Sequence, residues 1–203
     1  MNDESAFRAF MIVALVLLLP FGVYHRVRSQ STGESLDRRQ EGLFILSTLR
    51  PAAIVLWGCV IAYLIDPRWM AWSAVPLPAA VRWLGAAICI AAEGLFAWTL
   101  RSLGPNLTDT VVTRRAATLV TSGPYGWVRH PFYDAMVLLI LAISLLTANW
   151  FLLLGGIVVT ALVVTRTRIE EEKLVEKFGD GYRRYMSETG RFLPKLAGPV
   201  APS

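Results

Sequence analysis

Two constellations and one lone side chain in this 203-residue sequence have types and spacing suited to chemistry. The first constellation is Arg129-His130-Pro131, with Tyr133 two residues further on. Proline suits the first turn of a helix and drives the residue before it toward extended backbone. Arg129 and His130 are therefore expected at the N-terminal mouth of a helix that Pro131 opens. Backbone N–H groups and the helix dipole favour an anion at such a mouth. A histidine there can hydrogen-bond or move a proton near neutral pH. The plainer reading is a basic pair that touches lipid phosphate. The second constellation is Arg166 with Glu170, Glu171 and Glu172. Its plain reading is a solvated helix with an i, i+4 ion pair worth tenths of a kcal/mol. In the functional reading, Arg166 grips a carboxylate or phosphate with two parallel hydrogen bonds. Glu170 or Glu171 then binds the ammonium or ribose of a cofactor, a role that suits acids lying directly under an apolar stretch. The lone side chain is Glu93, a carboxylate inside an apolar run, which is costly there and a functional candidate for that reason.

The elements that must position these groups are membrane helices. Hydrophobic residues make up 55% of the chain and charged residues 17%, and mean hydropathy is +0.49. That composition departs from a soluble globular domain. Spans are expected at Ala6–Tyr24, Leu43–Ile65 and Val81–Leu100. A fourth apolar region, Pro131–Thr165, is 35 residues long, too long for one crossing of a ~30 Å hydrocarbon core. Asn149-Trp150 offers a turn in its middle, so it is read as a helical hairpin, which brings the total to about five crossings. Asn2, Asp3 and Glu4 are acidic and no small-x-small cleavage pattern follows Pro20, so the first segment is read as a retained span. Arg50, early in the second span, is read as snorkelling to the interface.

Charge sets the expected orientation. Sixteen of the 20 basic residues follow the first, third and fifth spans, while Arg8, Arg68 and Arg82 lie on the other side. The positive-inside rule then places the N-terminus outside and the C-terminus in the cytoplasm. The net charge of +5 fits anionic headgroups, and no basic stretch interleaved with aromatics points to nucleic acid. Cys59 and Cys89 fall inside spans, where their spacing suits neither a disulfide framework nor a zinc site. No metal is expected.

The chain reads as a single all-α membrane domain over 1–203, with three N-terminal spans over 1–100. Residues 101–203 supply a cofactor loop, the hairpin and a cytoplasmic C-terminal helical segment that caps the cofactor site. The soluble stretch Arg166–Ser203 is too short for a nucleotide-binding fold of its own. It begins as a helix, with Arg166, Glu170 and Leu174 on one face, and Gly179 and Gly181 are expected to break it. Gly155-Gly156, inside the fifth helix, is read as permitting close helix packing. The polar connector Arg26–Glu41 and the tail Gly198–Ser203 are expected to be irregular, the connector with some helix near its end. A gap between the third and fourth helices is the expected entry for a lipid tail.

The order of motifs is more specific than any one of them. Leu119-Val120-Thr121-Ser122-Gly123-Pro124-Tyr125 precedes Arg129-His130-Pro131-x-Tyr133. The apolar hairpin follows, then Arg166, Glu170-Glu171, Phe178-Gly179-x-x-Tyr182 and Pro194. From Leu103 to Pro194 this resembles the isoprenylcysteine carboxyl methyltransferase family and its relatives among phospholipid methyltransferases. The resemblance implies an integral-membrane methyltransferase that uses S-adenosyl-L-methionine, bound at the cytoplasmic helix ends under the C-terminal segment. It implies that Leu119, Val120, Tyr125, His130 and Glu170 line the cofactor, and Thr118, Gly123, Arg129, Pro131 and Tyr133 are expected beside them. The methionine end would then be the guest of the Arg129-His130-Pro131 mouth. Arg166 would face the methyl acceptor, with Glu170 and Glu171 in catalytic roles. The family commonly carries His where this chain has Ala117, and Gly where it has Ala135, here preceded by the acid Asp134.

The implied acceptor is a lipophilic small molecule or lipid bearing a carboxylate or an amine. A carboxylate needs only Arg166 to orient it. An amine needs a base, for which Glu170, Glu171 or His130 serve. Two other readings stand beside this one. A membrane reductase of the sterol reductase type shares a similar hairpin and Arg-His-Pro motif but binds NADPH, whose extra phosphate the acidic pair repels. A non-catalytic membrane protein is the third.

Overall fold

The computed structural model describes residues 3–30, 43–106 and 117–195. Among these residues six helices carry the fold: α1 (Asp3–Gln30), α2 (Leu43–Ile65), α3 (Ala79–Leu103), α4 (Pro131–Thr147), α5 (Trp150–Phe178) and α6 (Asp180–Glu188). The second expected span coincides with α2, and the first and third lie within α1 and α3. Helices α1, α2, α3 and α5 are long and apolar enough to cross a membrane. At 17 residues α4 is shorter, and its ~25 Å reach falls below a ~30 Å core. Its neighbour α5 has 29 residues, but its apolar part ends at Thr165. The charged remainder continues to Phe178 without a break. Gly179, at φ +55°, then turns the chain, and Gly181 lies inside α6, not at a break.

The hairpin turn sits where Asn149-Trp150 places it. Ala148 takes a left-handed conformation at φ +47°, and Asn149 caps α5 by accepting the Leu152 N–H at 3.1 Å. The Asn149 amide donates to Ser73 Oγ at 2.8 Å and to the Met70 carbonyl at 3.2 Å, which ties the turn to the short 3-10 stretch Pro67–Ser73.

Small residues set the helix spacing. A Cβ on Gly85 of α3 would lie 2.8 Å from Leu145 Cβ of α4, and one on Gly156 of α5 would lie 2.0 Å from Ile140 Cγ2. So Gly156 permits the close approach read from the sequence. Where the sequence suggests a gap between the third and fourth helices, α3 and α4 pack closely at Gly85 and again where Ala135 meets Phe96 and Leu100. A crevice lies among α1, α2, α3 and α4, lined by Met11, Trp57, Cys89, Glu93 and Leu139. It encloses about 20 Å³, the room of a single water.

One end of the bundle is locked by a polar clamp. Arg82 donates to the Leu146 carbonyl at 2.9 Å, to Glu4 at 2.7 Å and to the Tyr63 hydroxyl at 3.1 Å, and lies over the Phe7 ring at 4.0 Å. Tyr63 donates to the second oxygen of Glu4, and Arg8 donates to the Leu64 carbonyl at 2.6 Å. This clamp joins α1, α2, α3 and α4 at the end opposite the Pro131 mouth. It supports the alternating run of the helices, so the ends of α3 and α5 and the start of α4 share the other end.

Candidate active site

The shared end is built on a turn that glycine allows and a helix mouth that proline opens. Gly123 has φ +62°, and a Cβ there would meet Ser102 Oγ at 2.5 Å and Trp98 Nε1 at 3.2 Å. Its close seat on α3 aims the following Pro124 and Tyr125 into the protein, where both are buried. Upstream, Asn106 grips Thr118, accepting its N–H at 2.9 Å and donating to its hydroxyl at 3.3 Å. Leu119 and Val120 run half-buried between these anchors. His130 is the N-cap of α4 and Pro131 fills its first position, as the Arg-His-Pro order predicts.

The anion at that mouth is the protein's own. Glu171 of α5, 3% exposed, takes the Arg129 Nε–H on Oε1 at 2.8 Å. His130 Nε2 lies 3.2 Å from the same oxygen, and Arg191 Nη2 donates to Oε2. Arg129 also donates through Nη1 to the carbonyls of Met186, at 3.2 Å, and Thr189. The Arg129 guanidinium, expected from the sequence to clamp a guest, is thus engaged within the chain.

Glu170, the preceding residue, points elsewhere. It accepts the Tyr133 hydroxyl on Oε2 at 2.9 Å. Burial, then the Glu170 charge, lifts the Tyr125 phenol well above its ordinary value, so Tyr125 stays neutral beside that carboxylate. Arg166 lies one turn before Glu170 on the same helix, and its charge acts on the Tyr133 hydroxyl. Glu170 is therefore a half-buried carboxylate with two phenols and an arginine around it. This geometry suits an ammonium or a ribose hydroxyl, and neither Glu171 nor Glu172 offers it, the first being enclosed and the second exposed.

The C-terminal segment closes one side of the mouth. Gly190 pairs with Val128 as a parallel bridge, with Arg129 N–H donating to the Gly190 carbonyl at 2.9 Å and His130 N–H to the Arg191 carbonyl at 3.1 Å. Tyr185 of α6 donates to the Tyr125 carbonyl at 2.6 Å. Burial pushes the Tyr185 phenol up to about 12, so it remains a donor. The Phe192 ring lies 5.8 Å from His130.

The structure thus gathers Tyr125, Arg129, His130, Pro131, Tyr133, Arg166, Glu170 and Glu171 at one end, with Thr118–Gly123 leading into it. Glu93 is not brought there. It lies mid-helix in α3, where Cys89 Sγ is 4.0 Å from its Oε1. Ala135 is fully buried against Phe96 and Leu100, so its small size serves helix packing. Sequence reasoning missed Arg191, Thr189, Gly190 and Tyr185. An arginine next to a glycine beyond a broken helix carries no spacing signal, and its partner lies 20 residues upstream. Among the described residues no group of three His, Cys, Asp or Glu side chains is arranged to hold a metal.

Comparison with known proteins bears on the same residues. Residues 84–176 match the isoprenylcysteine carboxyl methyltransferase (ICMT) family. The protein-S-isoprenylcysteine O-methyltransferase of Xenopus laevis is 30% identical over 125 residues, 58% of this chain and 43% of that protein. The methanethiol S-methyltransferase of Pseudomonas deceptionensis is 35% identical over 72 residues, 36% of this chain and 27% of that protein. A solved structure of the eukaryotic intramembrane Ras methyltransferase ICMT aligns with a TM-score of 0.48 and 23% identity, covering 74% of this chain and 53% of that one. The chain spans about half the length of the curated relatives it matches.

Proposed function

We propose that this chain is a member of the isoprenylcysteine carboxyl methyltransferase family and a membrane methyltransferase that uses S-adenosyl-L-methionine to methylate a lipophilic acceptor. One observation carries the reading. The Arg-His-Pro-x-Tyr mouth and the paired glutamates, 37 to 42 residues apart in sequence, converge at one end of the bundle and divide into two roles.

Glu171 is the frame. Its ion pairs fix Arg129, His130 and the C-terminal segment around the mouth. Glu170 is the open carboxylate, and with the phenol oxygens of Tyr125 and Tyr133 it forms the set of acceptors that the ammonium or a ribose hydroxyl of the cofactor needs. The aliphatic Leu119 and Val120 and the aromatic rings supply walls for an adenine, with Thr118, Gly123 and Pro131 shaping the backbone around it. When bound, the cofactor supplies a methyl group already activated by a sulfonium. The protein's task is then alignment and exclusion of water. Arg166 orients a carboxylate acceptor. For an acceptor that must lose a proton, Glu170 is the available base, since Glu171 and His130 are engaged with each other.

The short reach of α4 bears on how a lipophilic acceptor arrives. A helix shorter than the hydrocarbon core draws its ends toward the apolar layer or thins the bilayer. The mouth then lies close to the depth at which a membrane-embedded acceptor carries its polar end. The charge distribution supports placing this end on the cytoplasmic side, with the N-terminus outside.

Binding of S-adenosylhomocysteine and of NADPH to the purified chain in detergent, by calorimetry, tests the reading. Saturable binding of the first alone is expected. NADPH binding without a response to S-adenosylhomocysteine would return the reductase alternative. Arg129 and Arg191 offset the charge of Glu171, which leaves Glu170 to repel the extra phosphate of NADPH.

A further inference from the structure

Beyond residue 176 the family match ends, and the chain continues through α6 into a segment, 189–195, that folds back over the mouth. Three features hold this segment. Its backbone pairs with Arg129 and His130. Lys195 closes the end of α6 by donating to the carbonyls of Met186, at 2.9 Å, and Ser187, at 2.7 Å. Arg191 reaches inward to Glu171.

The three cationic or basic partners of Glu171 are not equivalent. Arg129 and His130 belong to the mouth itself, with side chains 9% and 4% exposed, whereas the Arg191 side chain is 32% exposed. Arg191 is also the one that comes from the folded-back segment. Its bond occupies Oε2, leaving Oε1 to Arg129 and His130. With Oε2 held, the carboxylate cannot rotate away from the two mouth residues. Without it, the segment keeps its backbone bonds, the Arg129 bond to the Thr189 carbonyl and the Lys195 bonds to the end of α6, but nothing of it holds Glu171, whose carboxylate gains freedom about its last torsion. Glu170 is the next residue on the same helix, so drift at Glu171 is felt where the open carboxylate faces Tyr133.

We infer that Arg191 is a positioning residue, which latches the 189–195 segment across the mouth through Glu171 and so sets how tightly the cofactor is held. This rests on the methyl-donor reading for its ligand, but the latch itself does not. Arg191 does not touch the reacting atoms. It acts through Glu171 on the ordering of the mouth, which binding would otherwise have to impose.

The test uses the full chain in detergent micelles, with S-adenosylhomocysteine as the probe. Two readouts are taken, the dissociation constant by calorimetry and hydrogen exchange of the Arg129 and His130 amides without ligand. For R191Q, faster exchange at both amides and a dissociation constant raised about tenfold are expected. R191K keeps the charge but not the planar fork, and is expected to restore part of both. Should R191Q not purify as a single species, R191K carries the test, with a smaller change in the same direction required. R183Q, whose side chain pairs with Asp180 on the exposed side of α6, is expected to leave both readouts within twofold. Unchanged exchange in R191Q would overturn the latch. Faster exchange with unchanged affinity would overturn the positioning role. A wild-type chain that binds no S-adenosylhomocysteine would overturn the methyl-donor reading and the cofactor part of this inference, and exchange alone would then decide the latch.

Discussion

Arg129 and Arg191, 62 positions apart in the sequence, hold opposite oxygens of a single carboxylate, that of Glu171. The relationship joins the mouth of α4, the middle of the charged part of α5 and the segment after α6. Burying charges costs desolvation that their attraction does not always return, so such a cluster is weak evidence for stability by itself. What it supplies is a fixed geometry, since each partner is useful only in one place.

Glu171 and Glu170, adjacent in sequence, are expected to fail differently when altered. E171Q leaves two guanidiniums facing a neutral amide and is expected to cost about 3 kcal/mol of stability. E170Q is expected to change stability little and to weaken S-adenosylhomocysteine binding about tenfold. Thermal unfolding in detergent and calorimetry on both variants separate them. Equal losses in the two would contradict the division of roles.

Tyr133→Phe removes only the hydroxyl that donates to Glu170 at 2.9 Å. The carboxylate stays but loses its orientation. A several-fold rise in the dissociation constant for S-adenosylhomocysteine is expected, on the order of one charge-assisted hydrogen bond. Addition of E170Q to this variant should cost less than E170Q costs in the wild type, a double-mutant cycle that isolates the pair.

Gly190→Ala places a Cβ where the Leu193 carbonyl oxygen lies 1.7 Å away, so the segment must unfold or shift. Cleavage by a protease after Arg191 is expected to become much faster than in the wild type. Intact resistance would mean that the segment relaxes without leaving the mouth.

Arg82→Ala tests the opposite end. It removes donors to Leu146, Glu4 and Tyr63 and is expected to cost about 1–3 kcal/mol. Because the clamp is a bundle-length away from the mouth, the affinity for S-adenosylhomocysteine should stay within twofold. A large affinity loss would mean that helix packing, not the local cluster, sets the site.

Orientation is tested by thiol labelling in intact cells. A cysteine at Arg68 should react with an impermeant reagent from outside, and one at Lys195 only after permeabilisation. The opposite pattern would reverse the topology proposed from charge.

Much of this architecture is legible in residue order. Leu43–Ile65 is a helix over the full stretch that its apolar run predicts, and Asn149-Trp150 marks the hairpin turn. Proline and glycine act through local sterics, and apolar length acts through the thickness of the hydrocarbon layer, so neighbours along the chain suffice to read them. The same holds for Pro131, whose place at the first position of α4 follows from its ring alone.

Which side chain faces which could not be read that way. Arg129 looked from the sequence like a clamp for a guest, but the fold gives it Glu171 from a helix that returns 42 residues later. Glu170 and Glu171 are alike in composition and neighbourhood, yet a step of 100° around α5 turns one into the frame and leaves the other open to Tyr133. Arg191 carried no signal at all. By itself the sequence determined that this is a bundle of membrane helices with an Arg-His-Pro mouth above a glutamate pair. Only the tertiary structure decided which glutamate closes the mouth and which faces a ligand, because ion pairing between distant segments depends on where the helices bring their faces together.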